Sequence, residues 1–393
     1  MARTFFWCYP WDLEDEGHER ALGRLSGEIG VDGISVAAVL DDLTEFRSRA
    51  FAGPHTVTRP AAAHFQPASK HYENTRLRPP AAAWMKSRNP LARIADLARQ
   101  HSLECRARAV CCRNSHLAAR QPSAACVDVF GDPIEARLCP SNPDVREYVA
   151  ALVEDLSTNY PLDAIELADV GFGVGVRARG SSYTGVSFAS DRGIGIVRDW
   201  CFCPSCRQRA QEAGVDVQDV TAAVLDCLGP ILRAEPIASA TIGDVLGERP
   251  CLAAYHHVRC ETVGTLVQMV RKRTDKPLWL QAANCVVRSG ADPATLRVCC
   301  DGLIVAPAEE PAPLPADDVE QMIRACGGPT RVEVGTFCHP PHVADGPALV
   351  TFVRQAWQEG FAAIGFSNYG AAPEPCLDWV RQAIRFARRE ART

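Results

Sequence analysis

The chain has 393 residues, 42 of them basic and 47 acidic, which gives a formal net charge of −5. The charges are mixed along the sequence, so no basic stripe indicates nucleic-acid binding and no basic amphipathic segment indicates a membrane surface. No stretch approaches the ~20 apolar residues of a membrane span. This balance favours a small-molecule or carbohydrate substrate and leaves open a homo-oligomer.

The compartment is predicted from the cysteines and the first residues. The chain begins with one positive charge and a short apolar run that ends before Pro10, whereas a secretory signal needs a longer apolar region. There are 18 cysteines. Without an export signal they are expected to be reduced thiols, not a disulfide framework. We therefore expect a cytoplasmic protein.

Short apolar, β-branched runs alternate with amphipathic helices about eight times along the chain. The predicted strands are Thr4–Tyr9, Gly33–Val39, Glu104–Cys111, Ala164–Ala168, Leu278–Ala282, Gly302–Ala306, Arg331–Phe337 and Ala363–Ser367. The predicted helices are about Glu16–Ile29, Leu91–His101, Asp144–Tyr160, the cysteine-rich segment to about Ala213, Val217–Leu228, Pro250–Arg273 and Pro375–Glu390.

This order predicts an α/β fold, a (β/α)8 TIM barrel formed by residues 1–393 as one domain. An open doubly wound sheet is the alternative, but it normally has a glycine-rich phosphate turn after its first strand. Here the first strand ends instead in Tyr9-Pro10-Trp11-Asp12. Residues 41–90 are rich in Pro, Ala, His and Arg without a clear period. They are predicted to form a long loop insertion over the barrel mouth.

A cysteine motif, Cys201-Phe-Cys203-Pro-Ser-Cys206, follows the fourth predicted strand. Its C-x-C-x-x-C spacing can place three thiolates around one soft metal ion, and such sites commonly hold zinc. Cys139, in Leu-Cys-Pro-Ser-Asn-Pro, is the predicted fourth ligand, with Cys126 and Cys227 as alternatives. Four cysteines would leave no open coordination position, so the predicted zinc is structural.

The same motifs carry a resemblance to known families. The upstream Cys-Pro-Ser-Asn-Pro, the strand-four Glu166 and the later C-x-C-x-x-C resemble the zinc-carrying β-galactosidases of glycoside hydrolase family 42. The chain more closely resembles a set of uncharacterised actinobacterial glycosyl-hydrolase-like barrel proteins. The shared pieces are Tyr9–Leu13, Asn114–Leu117, Leu138–Tyr148, Ile165–Leu167, Cys201–Cys206 and Phe366–Gly370. Histidine-containing segments of those relatives are replaced here by Ala38–Asp41 and Gly173–Arg179, so a changed chemistry or substrate is expected.

Two glutamates alternate with outward apolar residues and are predicted to face the barrel interior: Glu166 in strand four and Glu333 in strand seven. Retaining glycosidases use two carboxyls ~5–5.5 Å apart. The resemblance implies Glu166 as acid/base and Glu333 as nucleophile. Ile165 stands where those enzymes usually have Asn, and Glu333 lies deep in its strand. The alternative is a buried ion pair with an arginine such as Arg108 or Arg331.

Polar and aromatic residues also cluster at predicted strand ends, as a polyol pocket requires. The candidate substrate-binding residues are Trp7, Trp11, Asp12, Asn114, His116, Gln281, His339, Asn368 and Tyr369. Further carboxylate candidates are Asp169, Glu309 and Glu310, and Asn284 lies near Gln281.

The predicted function is a glycoside-hydrolase-like enzyme acting on a glycoside or sugar-like compound. An isomerase, lyase or transglycosylase, or an inactive binding barrel, remains an alternative. A further alternative, with His339 and His342 holding a catalytic metal, predicts a second metal ion per chain.

Overall fold

Eight parallel strands close into a barrel in the computed structural model, which confirms the predicted fold. The structure describes residues 2–50, 53–173, 193–233, 235, 241–281, 286–305, 320 and 323–390. The barrel strands β1 to β8 are Arg3–Cys8, Gly33–Leu40, Glu104–Val110, Ala164–Ala168, Leu278–Gln281, Gly302–Val305, Val332–Phe337 and Ala363–Ser367. Each strand pairs with its neighbour in parallel, and β1 pairs with both β2 and β8, so the sheet has no open end.

Helices surround the strands over most of the described chain. Their bounds are Pro10–Glu16, His18–Gly23, a π-helical turn Arg24–Ile29, Pro90–Gln100, Ser115–Arg120, Pro143–Asn159, Gly193–Arg198, Pro204–Glu212, Val217–Leu232, Ile242–Glu248, Pro250–Arg271, Val286–Ser289, Pro293–Leu296, Gly346–Gln358 and Glu374–Glu390. None of the described helices is long and apolar enough to cross a membrane. Cys201 and Cys203 precede helix Pro204–Glu212 and only Cys206 lies within it, so the predicted placement of the motif inside a helix is wrong.

Residues 41–90 contain regular structure that the sequence pattern did not indicate. Leu43–Arg47 and His55–Arg59 form an antiparallel hairpin, and Ala62–Ala63 pairs antiparallel with the end of β2. Another hairpin, Ala125–Val127 with Pro133–Leu138, follows β3. Both additions come after the C-terminal ends of barrel strands, the end at which active sites of such barrels lie.

The apolar core lies mainly outside the barrel wall. Alternate strand residues, including Phe6, Ile34, Leu167 and Ile364, belong to one buried cluster with the surrounding helices. The other face of the strands carries mostly aromatic and charged side chains that contact one another, with one hydroxyl: Phe5, Trp7, Ser35, Arg106, Arg108, Glu166, Trp279 and Glu333. Barrel interiors are normally filled with branched apolar side chains. The interior of this barrel, which we call the lumen, is therefore unusual in being ionic and aromatic.

Two glycines make room for these large side chains. A Cβ on Gly302 would lie 2.4 Å from the Trp279 ring, and a Cβ on Gly365 would lie 2.7 Å from Glu333 Oε1. Both distances are shorter than real Cβ contacts. The lumen is thus shaped around specific rings and carboxyls.

Candidate functional site

The two predicted glutamates meet at one arginine inside the lumen. Arg106 Nη1 donates to Glu333 Oε2 at 2.7 Å and lies 3.8 Å from Glu166 Oε1. Both glutamates are 0% exposed. Because Arg106 Nη1 lies 2.7 Å from Glu333 Oε2 and 3.8 Å from Glu166 Oε1, these two carboxyl oxygens are no more than about 6.5 Å apart. The sequence prediction that both side chains point inward agrees with this geometry.

Each carboxyl has a different set of partners. Ser35 Oγ donates to Glu166 Oε2 at 2.6 Å, while Glu166 Oε1 is buried without a hydrogen-bond donor. Trp7 Nε1 donates to Glu333 Oε1 at 3.4 Å, in addition to the bond from Arg106. Glu333 is thus held by two donors, whereas one oxygen of Glu166 is available for a proton or a ligand.

Arg106 is the main lumen residue that the sequence reasoning missed. The guanidinium lies over the Phe5 ring at 3.6 Å and over the Trp279 ring at 4.7 Å, and Nε donates to Glu104 at 2.7 Å. The alternative interpretation, a buried ion pair with an arginine, agrees with this geometry, but the arginine is Arg106 and not one of the two suggested, Arg108 and Arg331. Arg331 bonds instead to backbone carbonyls such as that of Asp301. The alternation of Arg106 and Arg108 with Ala107 and Ala109 was the available signal.

A second group of residues, outside the lumen, is suited to a metal ion. The Sγ atoms of Cys139, Cys201, Cys203 and Cys206 all lie within 4.8 Å of one another, and all four residues are buried. Cys139 Sγ is 3.4 Å from the sulfurs of Cys203 and Cys206 and 3.8 Å from that of Cys201. Four thiolates at ~2.3 Å from a tetrahedral ion would be about 3.8 Å apart. The predicted ligand set therefore fits a metal ion.

The two alternative ligands lie outside this group. Cys126 is buried and hydrogen-bonds with Cys139 and Cys201, but its sulfur is not among the four that all lie within 4.8 Å of one another. Cys227 belongs to a separate apolar cluster with Trp200 and Tyr255. Among the described residues, the four-cysteine group is the one place where three or more His, Cys, Asp or Glu side chains lie close enough together to hold a metal ion.

Several candidate binding residues after β1 bond to the protein itself. Trp11 Nε1 donates to Glu45 at 2.6 Å, and its ring stacks on Tyr9. Arg47 Nη2 donates to Asp12 Oδ1 at 3.0 Å, while Asp12 Oδ2 is buried without a donor. Burial, followed by the nearby charge of Glu45, raises the pKa of Asp12 to about 7, although Arg47 opposes the shift.

Residues after β3 and β8 have local structural roles. Asn114 is buried and caps helix Ser115–Arg120 by accepting from Leu117 N at 2.9 Å, and His116 lies half-buried on that helix. Asn368 Oδ1 accepts from Gly370 N at 3.2 Å. Tyr369 donates to Glu16 at 2.8 Å. Asn114 therefore caps a helix after β3, and Asn368 closes a backbone turn after β8.

The remaining candidates are spread around the mouth. Gln281 ends β5 half-buried, and the His339 and His342 rings lie 5.8 Å apart after β7. Asp169, directly after β4, is within 3.5 Å of both Arg113 Nη1 and Arg137 Nη1. Asn284, Glu309 and Glu310 lie outside the described residues, as do positions 174–179.

Comparisons with solved structures support the architecture. The glycoside hydrolase domain of PgaB (BpsB) from Bordetella bronchiseptica matches with a TM-score of 0.59 at 13% identity, over 98% of each chain. α-L-Fucosidase isoenzyme 2 from Paenibacillus thiaminolyticus matches at 0.55 and 12% identity, over 100% of this chain and 50% of that one. The β-galactosidase from Marinomonas ef1 matches at 0.54 and 10% identity, over 99% of this chain and 60% of that one.

This chain shares the barrel fold of those glycoside hydrolases. At these identities the likeness concerns the fold alone, and the chain spans only part of the last two enzymes. No protein-family model and no curated protein matches the chain.

Glu333 should make the stability of the barrel depend on pH. Burial raises the pKa of this carboxyl from 4.5 to about 7; Arg106 opposes the shift and the nearby Glu166 charge adds to it. Because folding favours the protonated form, this stabilisation is full below pH 4.5 and is lost as the pH rises to about 7. We expect Glu333→Gln, which cannot ionise, to remove this loss.

The measurement is urea unfolding of the wild type and the variant at pH 5 and pH 8. The free energy of unfolding of the wild type, minus that of Glu333→Gln, should be smaller at pH 8 than at pH 5. Glu73→Gln, at an exposed position, provides the matched control. Parallel behaviour of wild type and Glu333→Gln across this range would contradict the prediction.

Proposed function

We propose that the chain is a carbohydrate-processing enzyme of the glycoside hydrolase type, with Glu166 as acid/base and Glu333 as nucleophile. The observation that carries the proposal is the meeting of two inward carboxyls on Arg106 Nη1, at 2.7 and 3.8 Å. This bounds their separation at about 6.5 Å, which includes the ~5–5.5 Å of retaining enzymes. The shared fold of the glycoside hydrolases named above supports the same class of reaction.

The proposed reaction has two steps. The Glu166 carboxyl gives its proton to the glycosidic oxygen while the Glu333 carboxylate attacks the anomeric carbon, which forms a glycosyl ester and releases the alcohol. Water then attacks that carbon, Glu166 takes its proton, and Glu333 leaves as carboxylate. Arg106 and Trp7 would hold the nucleophile by the hydrogen bonds already described. Transfer to another sugar in place of water would give transglycosylation.

A second candidate function is a sugar-binding barrel without hydrolysis. The observation that favours it is the complete burial of Glu166 and Glu333 around Arg106. In a catalytic barrel, a sugar would have to reach these carboxyls past Trp7 and Arg108. In a binding barrel, the ionic lumen would serve the structure only.

Glutamine substitutions at the two positions separate these functions. We expect Glu333→Gln to lower turnover of every glycoside that the wild type cleaves by about 100-fold or more. Glu166→Gln should lower turnover of alkyl glycosides similarly. With dinitrophenyl glycosides, whose leaving group needs no proton, it should spare the first release of dinitrophenol but slow the later turnover, for which Glu166 is the base. The measurement is the initial rate on both glycoside types, with Glu73→Gln as control. Cleavage that both variants retain in full would refute the hydrolase proposal.

We further propose that the metal held by the four cysteines is structural zinc. Four thiolates are a common zinc ligand set, and they leave no position for water or substrate. When bound, the ion would tie Cys139, after β3, to the Cys201–Cys206 segment that follows β4. It would take no part in the reaction at the carboxyls.

A further inference from the structure

Arg108 is a lumen arginine that the proposed reaction does not use. It lies two residues after Arg106 on β3 and faces Glu166 across the strand pair. At ~3.3 Å per residue, this places it about 7 Å closer to the C-terminal mouth than Arg106. Arg108 is half-buried, whereas Arg106 is 1% exposed. Of the two arginines, Arg108 is therefore the one that a molecule in the mouth can reach.

The Arg108 guanidinium has no counter-ion in the part of the chain that the structure describes. Among the described residues, no carboxylate oxygen lies within 4 Å of it, and its buried Nε has no acceptor. Glu166, its neighbour on β4, turns its oxygens to Ser35 at 2.6 Å and Arg106 at 3.8 Å. Arg106, by contrast, lies within 4 Å of three carboxylates.

Trp7 holds Arg108 in place. The guanidinium carbon lies 4.2 Å from the centroid of the Trp7 ring, a cation–π contact. Such a contact occupies the face of the planar group and not the N–H bonds at its edge. An arginine fork so placed matches the geometry of a carboxylate or phosphate group, which it can bind through two parallel hydrogen bonds.

A partly buried donor without an acceptor is costly, so an acceptor from outside the chain would stabilise this arrangement. We propose that Arg108 binds an oxyanion on the substrate, so that the sugar taken by this barrel is acidic: a uronate or a sugar phosphate. This inference rests on the proposed carbohydrate substrate and names its class. Charge recognition would then orient the ring above the two carboxyls of the lumen.

Binding of matched sugars tests the proposal. We would titrate the wild type with D-glucuronate, D-glucose 6-phosphate and D-glucose by calorimetry at pH 7.5. One of the two anions should bind at least about 10-fold more tightly than glucose, as expected for hydrogen bonds to a charged group. Tighter glucuronate would identify a carboxylate, and tighter glucose 6-phosphate a phosphate. Equal binding of glucose, or no binding of any of the three sugars, would overturn the proposal.

Variants assign the effect to Arg108. Arg108→Gln should abolish the preference for the anion, and Arg108→Lys, which keeps the charge but not the fork, should retain part of it. Arg99→Gln is the matched control, because Arg99 is exposed near the end of helix Pro90–Gln100, which leads to the opposite end of the barrel. A preference that survives in folded Arg108→Gln would refute the assignment.

The two proposals can fail separately. If the wild type cleaves neutral glycosides best and loses this activity in Glu166→Gln, the acidic substrate is excluded and the hydrolase stands. If an anion binds through Arg108 but Glu166→Gln and Glu333→Gln leave turnover unchanged, the hydrolase proposal is refuted. The oxyanion site would then belong to a binding barrel.

Discussion

Replacing Cys203 with serine is expected to destabilise the protein by at least about 3 kcal/mol, because loss of a structural metal is among the most damaging single changes. The four sulfurs lie within 4.8 Å of one another and are buried, so three ligands cannot satisfy the ion equally well. Removal of the metal with a chelator should have the same effect. The measurements are elemental analysis, with one metal ion per chain expected, and the thermal unfolding midpoint before and after chelation.

Two cysteine variants make this test specific. Cys251→Ser, at a half-buried position outside the group, should leave both metal content and unfolding unchanged. Cys126→Ser should retain the metal, because Cys126 contacts the ligands without being one of them. A metal-free wild type that chelator does not destabilise would contradict the prediction. A second metal ion per chain would favour the alternative with His339 and His342.

Arg106→Met is expected to cost about 3–5 kcal/mol of unfolding free energy, since it leaves buried carboxylates without their counter-ion. Glu333 would lose its 2.7 Å hydrogen bond and Glu166 its nearest positive charge. The loss should be greater at pH 8 than at pH 5, because Glu333 can be protonated at the lower pH. Denaturant titration at the two pH values measures both effects.

A compensating variant tests the cause of this loss. Glu166→Gln and Glu333→Gln, added to Arg106→Met, remove the two charges that the arginine neutralises. This triple variant should regain much of the stability, as expected when a buried ionic group is replaced by neutral groups. Arg99→Met, at an exposed position, should change stability little. A single Arg106→Met variant as stable as the wild type would contradict the role given to this residue.

The strands and three of the four clustered cysteines were predictable because their signals are local. Ile165 and Leu167 alternate with Glu166 in one short segment, which indicated both the strand and the face of its carboxyl. The spacing of Cys201, Cys203 and Cys206 similarly placed three sulfurs together within six positions. Such patterns require no knowledge of distant residues.

The partners within the lumen were not predictable by the same reasoning. Arg106 and Glu333 are 227 positions apart, and nothing near either residue specifies the other. Arg108 was named as a partner, and it does lie opposite Glu166 on the neighbouring strand, but the Glu166 oxygens turn to Ser35 and Arg106 instead. Asn114 and Asn368 were read as binding residues, while the structure shows turns and a cap that use the same amide chemistry.

The ionic lumen also has a consequence for how the chain folds. The Arg106–Glu333 contact joins the third and seventh strands, so it can form only after most of the sheet has assembled around its axis. Contacts between such distant parts of a chain carry a high entropic cost and tend to be slow to form. The first stabilising contacts are therefore expected in the apolar layer between the strands and the helices. The charged side chains inside the barrel are expected to pair last.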